Sequence, residues 1–375
     1  MVPNLAIGGQ QRVAVTTAAI LEPHYEIIMA VFTMEGAIYT APCKVIDLNV
    51  PPDSGNLRKF LNVLKRVKAL KNLKRNLMID VTLSFGKTAN LANSLSRVAD
   101  RIIVSVRGYG SISHSQLNQL LDKTVYDRAD IVICVAEKMT RDLATIYHLP
   151  GDKVVTLYNP YDIDTITDQA QSLIPLEIKH PTLVTMGRME QIKGYRHLLK
   201  AFAIVQSKLP EISLVFVGEG SERQALERIA ADLDLEHQVI FVGFQSNPHS
   251  YLSKCDVYLL SSIHEGFPNA MIEAMACELP VIATDCKSGP REILTETYID
   301  RMTQEVEFAD YGILTPPFAG DDSKESDRDQ LYADAILRLL EDKDVYQHYK
   351  QKAKERAAVF SLDAYKDRII KLIED

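Results

Sequence analysis

The sequence has no tryptophan, and its five cysteines include no Cys-x-x-Cys pair. Most of these cysteines stand in apolar surroundings, which predicts reduced core thiols and argues against a zinc site. No stretch approaches the ~20 consecutive apolar residues that a membrane helix needs, and the first residues lack the basic and apolar regions of a signal peptide. These absences predict a cytoplasmic protein without a membrane-spanning helix.

The composition that is present is that of a soluble globular protein, with 46% hydrophobic and 25% charged residues. At 375 residues the chain exceeds a single ordinary core, so two domains with a cleft between them are expected. The formal net charge of -8 does not predict a nucleic-acid partner. The charge is uneven, because residues 1–165 carry 19 basic and 15 acidic side chains, a net of +4, which leaves -12 for the remainder.

Most of the basic surplus of the first half lies in residues 57–76. Cationic and apolar side chains are interleaved there at helical spacing, and the segment has no acidic residue. The cations are Arg58, Lys59, Lys65, Arg66, Lys68, Lys71, Lys74 and Arg75. The pattern predicts a basic amphipathic helix.

Short apolar runs alternate with helical patterns along the chain, which predicts an α/β protein with doubly wound parallel sheets. Strands are predicted at 26–32, 78–84, 101–106, 131–135 and 154–157, and then at 182–186, 213–217, 239–242, 257–260 and 280–283. A polar, Pro-bounded stretch between the two sets places the domains at 1–165 and 166–360. A final helix, 361–375, has no following strand and needs a surface to cover.

The start of the chain departs from this pattern. A first parallel strand is expected ahead of Gly8, yet only Met1 and Val2 precede Pro3. The first strand is therefore predicted to be truncated, or to begin ahead of this sequence.

Two loops predict anion sites. Gly8 and Gly9 precede a helical run, so their amides would face a ligand at a helix N-terminus; a flexible turn explains the pair equally well. Arg188 and Lys193 follow a predicted strand, at the end where doubly wound sheets bind ligands. Two cations there are suited to neutralising a diphosphate, and a solvated loop is the alternative.

The run from Glu265 to Glu273 is the most informative stretch. It follows a predicted strand and enters a helix near Pro268, a residue tolerated in a first helical turn. The free amides of Asn269 and Ala270 are therefore expected to point into the crevice. Two carboxylates flanking a helix N-terminus indicate ligand binding, against the alternative of a solvated helix surface.

Three further motifs are rejected or left open. Residues 218–223 carry two glycines, but Arg223 stands at the sixth position and no acidic ribose ligand follows, so a dinucleotide fingerprint is rejected. Asp162 and Asp164 have the spacing of a metal-binding pair and are interpreted instead as a turn and helix cap. Residues 286–292 are either another crevice loop or a plain turn.

Taken together, these motifs resemble the GT-B glycosyltransferases, specifically the retaining family 4 of bacterial polysaccharide and lipid-linked oligosaccharide synthases. The resemblance covers nearly the whole chain, at residues 3–12, 158–160, 186–194, 217–220 and 265–273. It implies two Rossmann-like domains that face a central cleft. It also implies that a hexose or N-acetylhexosamine is transferred from a nucleotide sugar to a glycan or lipid-linked acceptor. Members of the family commonly use UDP-sugars, so a UDP-linked donor is expected.

The resemblance assigns roles residue by residue. Catalysis falls to Arg188, Lys193 and Glu265, the two cations neutralising the leaving diphosphate and Glu265 holding donor-sugar hydroxyls. Donor binding falls to Gly8, Gly9, Gly187, Gly243, Phe244, Gln245, Phe267, Pro268, Asn269, Ala270 and Glu273. Among these, Glu273 is implied to bind the ribose, and residues 243–245 the base. No cofactor, metal or protein nucleophile is implied, because the cations and the helix dipole stabilise the leaving phosphate.

One position departs from the family. A histidine often follows the strand at 102–105, and this chain has Arg107 and Tyr109 there, which are candidates for the acceptor side. In the family the last helix crosses back onto the acceptor domain. The basic helix 57–76 then suggests peripheral contact with anionic lipid at the inner face of the cell membrane, each cation contributing on the order of 1 kcal/mol. A solvated basic face remains the alternative.

Two other functions stay open. A GT-B sugar-nucleotide epimerase shares the cleft but not this arrangement of glutamates and cations. A non-catalytic GT-B-like binding subunit is favoured by a truncated first strand. A phosphorylase is disfavoured, because the sequence has no lysine motif for a pyridoxal cofactor.

Overall fold

The computed structural model describes residues 1–6, 8–53, 55–108, 116–318 and 326–375. The chain forms two compact units, one of Met1–Pro160 with Leu362–Asp375 and one of Tyr161–Ser361. These are unit 1 and unit 2 below. The sequence prediction put the boundary at 165/166 and the returning segment at 361.

Unit 1 alternates strands with helices, as the apolar periodicity predicts. Its described strands are β1 (Ile28–Val31), β2 (Lys44–Asp47), β3 (Val81–Phe85), β4 (Arg101–Val106), β5 (Ile131–Cys134) and β6 (Val154–Thr156). Its described helices are α1 (Gly9–Leu21), α2 (Asn56–Asn76), α3 (Lys87–Leu95), α4 (Gln116–Arg128), α5 (Glu137–Tyr147) and α14 (Leu362–Glu374). β1 pairs with β2, and β3 to β6 pair in chain order, all in parallel.

The first residues lie between these two groups of strands. Val2 forms a parallel bridge with Val31, and its N–H donates to the carbonyl oxygen of Ala30 at 3.2 Å. On the other side the N–H of Phe85 donates to the carbonyl oxygen of Met1 at 2.9 Å. Residues 1–3 thus stand in the place of a first strand, and the order from β2 through β1 to β6 is that of a doubly wound sheet.

Helix α14 contributes to the core of unit 1. Tyr365 and Ile369 pack there with Leu21 of α1 and Ile133 of β5. The hydroxyls of Thr17 and Tyr365 are hydrogen-bonded at 2.8 Å. The last helix therefore covers the apolar face of α1 and the sheet.

The predicted basic helix is confirmed as α2. Some of its cationic side chains are exposed, and two of them are buried with partners. Arg66 is buried, donates twice to the carbonyl oxygen of Val50 and lies 4.1 Å from the ring centre of Phe32. Lys74 is 1% exposed, and its Nζ is 2.7 Å from a carboxylate oxygen of Asp100. The expectation that all eight cations form one surface is therefore wrong for Arg66 and Lys74, because periodicity identifies the inward face without excluding a paired charge from it.

Unit 2 is a second parallel sheet with helices. Its described strands are β7 (Thr182–Met186), β8 (Ser213–Val217), β9 (Val239–Gly243), β10 (Val257–Leu260), β11 (Val281–Thr284), β12 (Glu307–Ala309) and β13 (Gly312–Thr315). Its described helices are α6 (Ile163–Ala170), α7 (Tyr195–Lys208), α8 (Arg223–Asp232), α9 (His249–Leu252), α10 (Asn269–Ala276), α11 (Pro290–Leu294), α12 (Asp327–Glu341) and α13 (Lys343–Ala358). The strand order is β12-β13-β11-β10-β7-β8-β9, parallel except for β12.

A buried polar pair fixes the start of α7 against α12. Nδ1 of His197 lies 2.8 Å from Oδ1 of Asp329, and both side chains are almost fully buried. The His197 ring stacks on Phe318 at 4.6 Å between ring centres. Asp329 also closes a capping box with Ser326 at the start of α12. This packing holds α7 directly after the loop that carries Lys193.

The buried ion pair of unit 1 gives a stability prediction. Burial lowers the pKa of Lys74. Burial alone would raise the pKa of Asp100, but the hydrogen bonds from Lys74, Val98 and Thr82, with the Lys74 charge, together outweigh it, and the pKa lies below its usual value. Replacing Lys74 by Met leaves Asp100 buried without its cation, so we expect the free energy of unfolding to fall by about 3–5 kcal/mol.

Chemical denaturation measures this change. The control is Lys68→Met, an exposed cation of the same helix, expected to change the free energy of unfolding by less than about 0.5 kcal/mol. Equal effects of the two substitutions would show that the Lys74–Asp100 pair does not stabilise unit 1.

Candidate active site

The candidate site of unit 2 lies at the carboxyl ends of its parallel strands. Chain order reverses between β7 and β10, because β8 and β9 extend the sheet on one side and β11 and β13 on the other. Such a reversal opens a crevice where doubly wound sheets bind ligands. The loops after β7, β8, β9, β10 and β11 carry most of the predicted residues.

Lys193 and Glu265, from two of these loops, form an ion pair. Nζ of Lys193 lies 2.7 Å from Oε1 of Glu265, and the side chains are 23% and 10% exposed. The hydroxyl of Ser262 donates to the same oxygen at 2.6 Å. Two donors on one oxygen hold the Glu265 carboxylate in place as a hydrogen-bond acceptor.

The backbone around this pair is packed closely. Gly194 has φ 64°, and a Cβ there would collide with the carbonyl oxygen of Ser261. The hydroxyl of Ser261 donates to the carbonyl oxygen of Lys193 at 2.8 Å, and the N–H of Ile263 donates to that of Ile192 at 2.9 Å. Only glycine fits at 194, and its close approach joins the loops after β7 and β10.

Arg188 is not brought to the Lys193–Glu265 pair in this structure. Its side chain is 80% exposed, and Nη1 lies 2.7 Å from Oε1 of Glu190. The two predicted cations therefore share a loop but differ in setting: Lys193 is fixed and Arg188 is in solvent.

Gly218 and Gly220, which resemble part of a dinucleotide fingerprint, are required by close backbone packing. A Cβ on Gly218 would collide with the carbonyl oxygen of Gly187, and a Cβ on Gly220 with the backbone of Met189. The N–H of Gly187 donates to Val217, and that of Met189 to Glu219. The loop after β8 is thus packed backbone to backbone on the loop after β7.

The predicted base-binding loop follows β9. Gly243 has φ 74°, Phe244 is 71% exposed, and the amide of Gln245 donates to the carbonyl oxygen of Val242 at 2.6 Å. The guanidinium of Arg223 pairs with Glu219 beside Gly243. This loop offers an exposed aromatic ring next to a constrained backbone.

The loop before α10 is held by the segments where the chain enters and leaves unit 2. The hydroxyl of Tyr161 donates to Oδ1 of Asn269 at 2.5 Å, and Phe267 packs edge-on against Phe360 with ring centres 5.6 Å apart. Pro268 stands at the N-cap position and makes no side-chain capping hydrogen bond, and the N–H groups of Asn269 and Ala270 lie in the first turn of α10.

The loop after β11 supports the same region from the other side. Ser288 donates to the carbonyl oxygen of Gly266 at 2.8 Å, and Gly289, with φ 93°, packs on Pro268. Residues 286–289 thus form a loop that contacts the predicted donor loop, and residues 290–292 begin helix α11. Arg291 itself is committed elsewhere, to a buried ion pair with Asp285.

Glu273, on the second turn of α10, is 7% exposed. Nε2 of His249 lies 3.7 Å from its Oε2. Burial first, and the Glu273 charge second, raise the pKa of the nearby Cys277 thiol to about 12. The thiol is therefore neutral beside the carboxylate at neutral pH.

The unit 1 candidates lie at the carboxyl ends of β3 and β4 and at the start of α1. Gly9 begins α1 after Gly8, and the amide of Gln10 donates to the carbonyl oxygen of Phe85 at 2.9 Å. Arg107 donates to Oδ1 of Asn159 at 2.7 Å. Its guanidinium lies 5.4 Å from the ring centre of Phe85. Tyr109, the other acceptor-side candidate, lies outside the described residues.

Asp162 has the predicted capping role, since its carboxylate accepts a hydrogen bond from the N–H of Thr165 at 3.0 Å.

The described ranges contain no group of three or more His, Cys, Asp or Glu side chains placed to hold a metal ion. Nor does any helix of the described chain have the length and apolarity to cross a bilayer.

Four side chains that position the site were not predicted from the sequence. Ser261 and Ser262 follow β10 directly, and their place at a strand's carboxyl end was an available signal. Tyr161 and His249 lie far in sequence from Asn269 and Glu273, and no local motif links them.

Two family models match the chain. One, described as Glycosyltransferase Family 4, matches residues 7–165, and the other, described as Glycosyl transferases group 1, matches residues 168–308. A curated relative from Campylobacter jejuni, an N-acetylgalactosamine-N,N'-diacetylbacillosaminyl-diphospho-undecaprenol 4-alpha-N-acetylgalactosaminyltransferase, is 27% identical over 95% of this chain and 93% of its own. An uncharacterised glycosyltransferase of Methanocaldococcus jannaschii is 29% identical over 80% of both chains.

Solved structures share the fold over the whole chain. Anabaena HepE in complex with UDP has a TM-score of 0.72 at 18% identity and covers 100% of this chain and 99% of its own. A glycosyltransferase from Rickettsia africae has a TM-score of 0.78 at 16% identity, covering 100% and 96%. Both support the GT-B architecture.

The contact of Gly194 with Ser261 gives a second prediction. In Gly194→Ala the added carbon must displace backbone and the residue must keep a left-handed conformation, so the free energy of unfolding is expected to fall by more than about 2 kcal/mol. Denaturation of purified protein measures it. Gly151→Ala is the control, since its added carbon meets nothing within 4 Å. A Gly194→Ala protein as stable as this control would contradict the close packing of the two loops.

Proposed function

We propose that this chain, which belongs to the family 4 glycosyltransferases of the GT-B fold, transfers a hexose or N-acetylhexosamine from a UDP-sugar with retention of configuration. The acceptor is a glycan or a lipid-linked saccharide in polysaccharide or lipid-linked glycan synthesis. The observation that carries this proposal is the fixed Lys193–Glu265 pair, with 2.7 Å between Nζ and Oε1, at the carboxyl edge of β7 and β10.

The comparisons supply the substrate classes of the proposal. The Campylobacter jejuni relative is named for an undecaprenol-diphosphate-linked acceptor. HepE is in complex with UDP, and another of its structures holds UDP and glucose. A UDP-linked donor and a polyprenyl-diphosphate-linked acceptor are the proposals that follow for this chain.

In the proposed mechanism Lys193 and Arg188 neutralise the charge that develops on the leaving diphosphate. The N–H groups at the start of α10 add the positive end of a helix dipole. Glu265, held by Lys193 and Ser262, accepts hydrogen bonds from donor-sugar hydroxyls and is not the nucleophile. A donor phosphate oxygen accepts the acceptor's proton, so the sugar is transferred on the face it already occupies.

The remaining donor contacts follow the strand ends. The base is proposed to lie against residues 243–245, the ribose on Glu273, and the transferred sugar near Phe267 and Pro268. In unit 1, Gly8 and Gly9 are proposed to contact the diphosphate or the sugar. Arg107 is proposed to take the role of the family's histidine on the acceptor side.

A donor screen tests the proposal. Thermal shift with UDP-, GDP- and ADP-sugars should show stabilisation by a UDP-sugar, because ligand that binds only the native state raises its stability. Slow hydrolysis of the same donor should follow, and it should persist with EDTA, since the two cations and the helix dipole replace a metal. A protein that neither binds nor hydrolyses any of these donors would sink the enzyme proposal.

Lys193→Ala is the matching substitution. Loss of the ammonium removes the fixed charge on the leaving phosphate, so we expect transfer to fall by at least about a thousandfold, while the circular dichroism spectrum stays native. Lys208→Ala, an exposed cation at the end of α7, should transfer at the wild-type rate. Wild-type turnover by the Lys193 variant would remove that residue from the mechanism.

We further propose that α2 rests on anionic lipid at the inner face of the cell membrane. Three large apolar side chains of its first half are exposed, Phe60 at 60%, Leu61 at 45% and Leu64 at 50%. Lys65 and Lys68 are exposed on the following turns. Exposed apolar and cationic side chains on one helix free of acidic residues are typical of interfacial helices.

Vesicle co-sedimentation tests the membrane proposal. Replacing Lys65, Lys68 and Lys71 by Gln should weaken binding to phosphatidylglycerol vesicles on the order of 100-fold, at about 1 kcal/mol for each cation. Lys74 is left intact because it is buried. The control replaces three exposed lysines of unit 2, Lys208, Lys343 and Lys350, and should bind as wild type. Equal binding by both triple variants would make α2 a solvated basic face.

A further inference from the structure

His249 is a partly buried histidine to which no motif assigns a role. It opens α9, the short helix between β9 and β10, and its side chain is 12% exposed. Helix α9 packs against both α6 and α10. The imidazole therefore lies between the end of α6 and the helix that carries Glu273.

One side of the imidazole is anchored on α6. Nδ1 lies 2.9 Å from Oε1 of Gln169, in the last turn of that helix. The side chain of Asn247 donates to the carbonyl oxygen of Gln169 at 2.9 Å, and Ser253 donates to that of Ala170 at 2.6 Å. Both ends of α9 are thus tied to the end of α6, which sets the position of the ring.

The other side of the imidazole faces Glu273. Nε2 lies 3.7 Å from Oε2, too long for a hydrogen bond and within the range of an ion pair. Among the described residues Nε2 is buried and has no hydrogen-bond partner. A buried ring nitrogen without a hydrogen bond costs stability. The position of Nε2 beside a carboxylate is therefore a candidate for a functional contact.

The orientation of the Gln169 amide determines which nitrogen of the His249 ring carries a proton. If the amide oxygen faces Nδ1, then Nδ1 carries a proton, and a neutral ring would point its Nε2 lone pair at a carboxylate. A ring that also carries a proton on Nε2 avoids that repulsion. If the amide is turned over, it donates to Nδ1 and the ring proton lies on Nε2. Either orientation of the Gln169 amide can therefore present an Nε2–H to Glu273.

We infer that His249 is a positioning residue for Glu273. Across 3.7 Å its Nε2 side attracts the carboxylate electrostatically and favours the orientation in which Glu273 accepts hydrogen bonds from the ribose hydroxyls of the donor nucleotide. The inference rests on the proposed function, in which Glu273 binds the ribose, and it deepens that function by adding a residue outside the Glu265–Glu273 motif. His249 acts only through the carboxylate, so its effect depends on the ribose hydroxyls.

Calorimetric binding of UDP and 2′-deoxy-UDP separates this role from packing. Wild type should bind UDP about tenfold more tightly than the deoxy compound, the value of one hydrogen bond to a charged acceptor. His249→Leu should lose most of this preference by weakening UDP alone. His249→Gln, which keeps an N–H donor on the side chain, should retain it. His237→Leu, an exposed histidine of the same unit, is the control and should match wild type.

A second variant covers the case in which His249→Leu does not fold. Gln169 is exposed, so Gln169→Leu should fold, release the ring from α6 and reduce the preference for UDP. Wild type that fails to bind UDP, or binds both nucleotides equally, overturns the proposed role of Glu273 and the inference with it. Wild type that discriminates while the Leu variants discriminate equally well overturns the role of His249 alone.

Discussion

Backbone packing between the loops after β7 and β10 determines the geometry of the candidate site. Gly194 in a left-handed conformation lets the carbonyl of Ser261 approach, and two hydrogen bonds from the loop after β10 to carbonyl oxygens of the loop after β7 join the loops beside that contact. Lys193 and Glu265 each stand next to this junction, so neither can move without the other. Their ion pair is therefore preorganised by the main chain, which is the arrangement that makes a fixed charge effective in stabilising a leaving group.

The loop before α10 depends on a different support. Tyr161 and Phe360 stand where the chain enters and leaves unit 2, and the N–H of Tyr161 donates to the carbonyl oxygen of Phe360 at 3.0 Å. Each also contacts the loop, Tyr161 through Asn269 and Phe360 through Phe267. The residues at the two ends of unit 2 thus hold in place the N–H groups to which the proposed function gives a role, so a truncation near this boundary would disturb more than a linker.

Sequence patterns predicted central elements better than edges, for a physical reason. Strands β4, β7, β8 and β10 were predicted with the bounds they have, because strands buried on both faces are continuous apolar runs. β2 and the β12–β13 hairpin were missed: β2 is half-exposed with charged residues at both ends, and β12 is a three-residue edge strand. In the site, local motifs located Lys193 and Glu265, whereas the contacts of His249 and Tyr161 arise from tertiary packing that no sequence spacing records.

Glu265 and Glu273 have different partners, Lys193 and His249. The pairing of Glu265 with Lys193 affects how much positive charge the site offers to a donor. Glu265 is paired with the ammonium of Lys193, so part of the charge of that cation is already balanced before the proposed diphosphate binds. The proposed function therefore needs a second cation, and Arg188 lies on the same loop as Lys193 with an exposed side chain. Its pair with Glu190 is 80% exposed on the arginine side, and a pair so exposed is worth no more than about 1 kcal/mol, so exchanging the carboxylate for a diphosphate costs little. In the proposed function the fixed lysine orients the diphosphate, and the exposed arginine supplies the second positive charge.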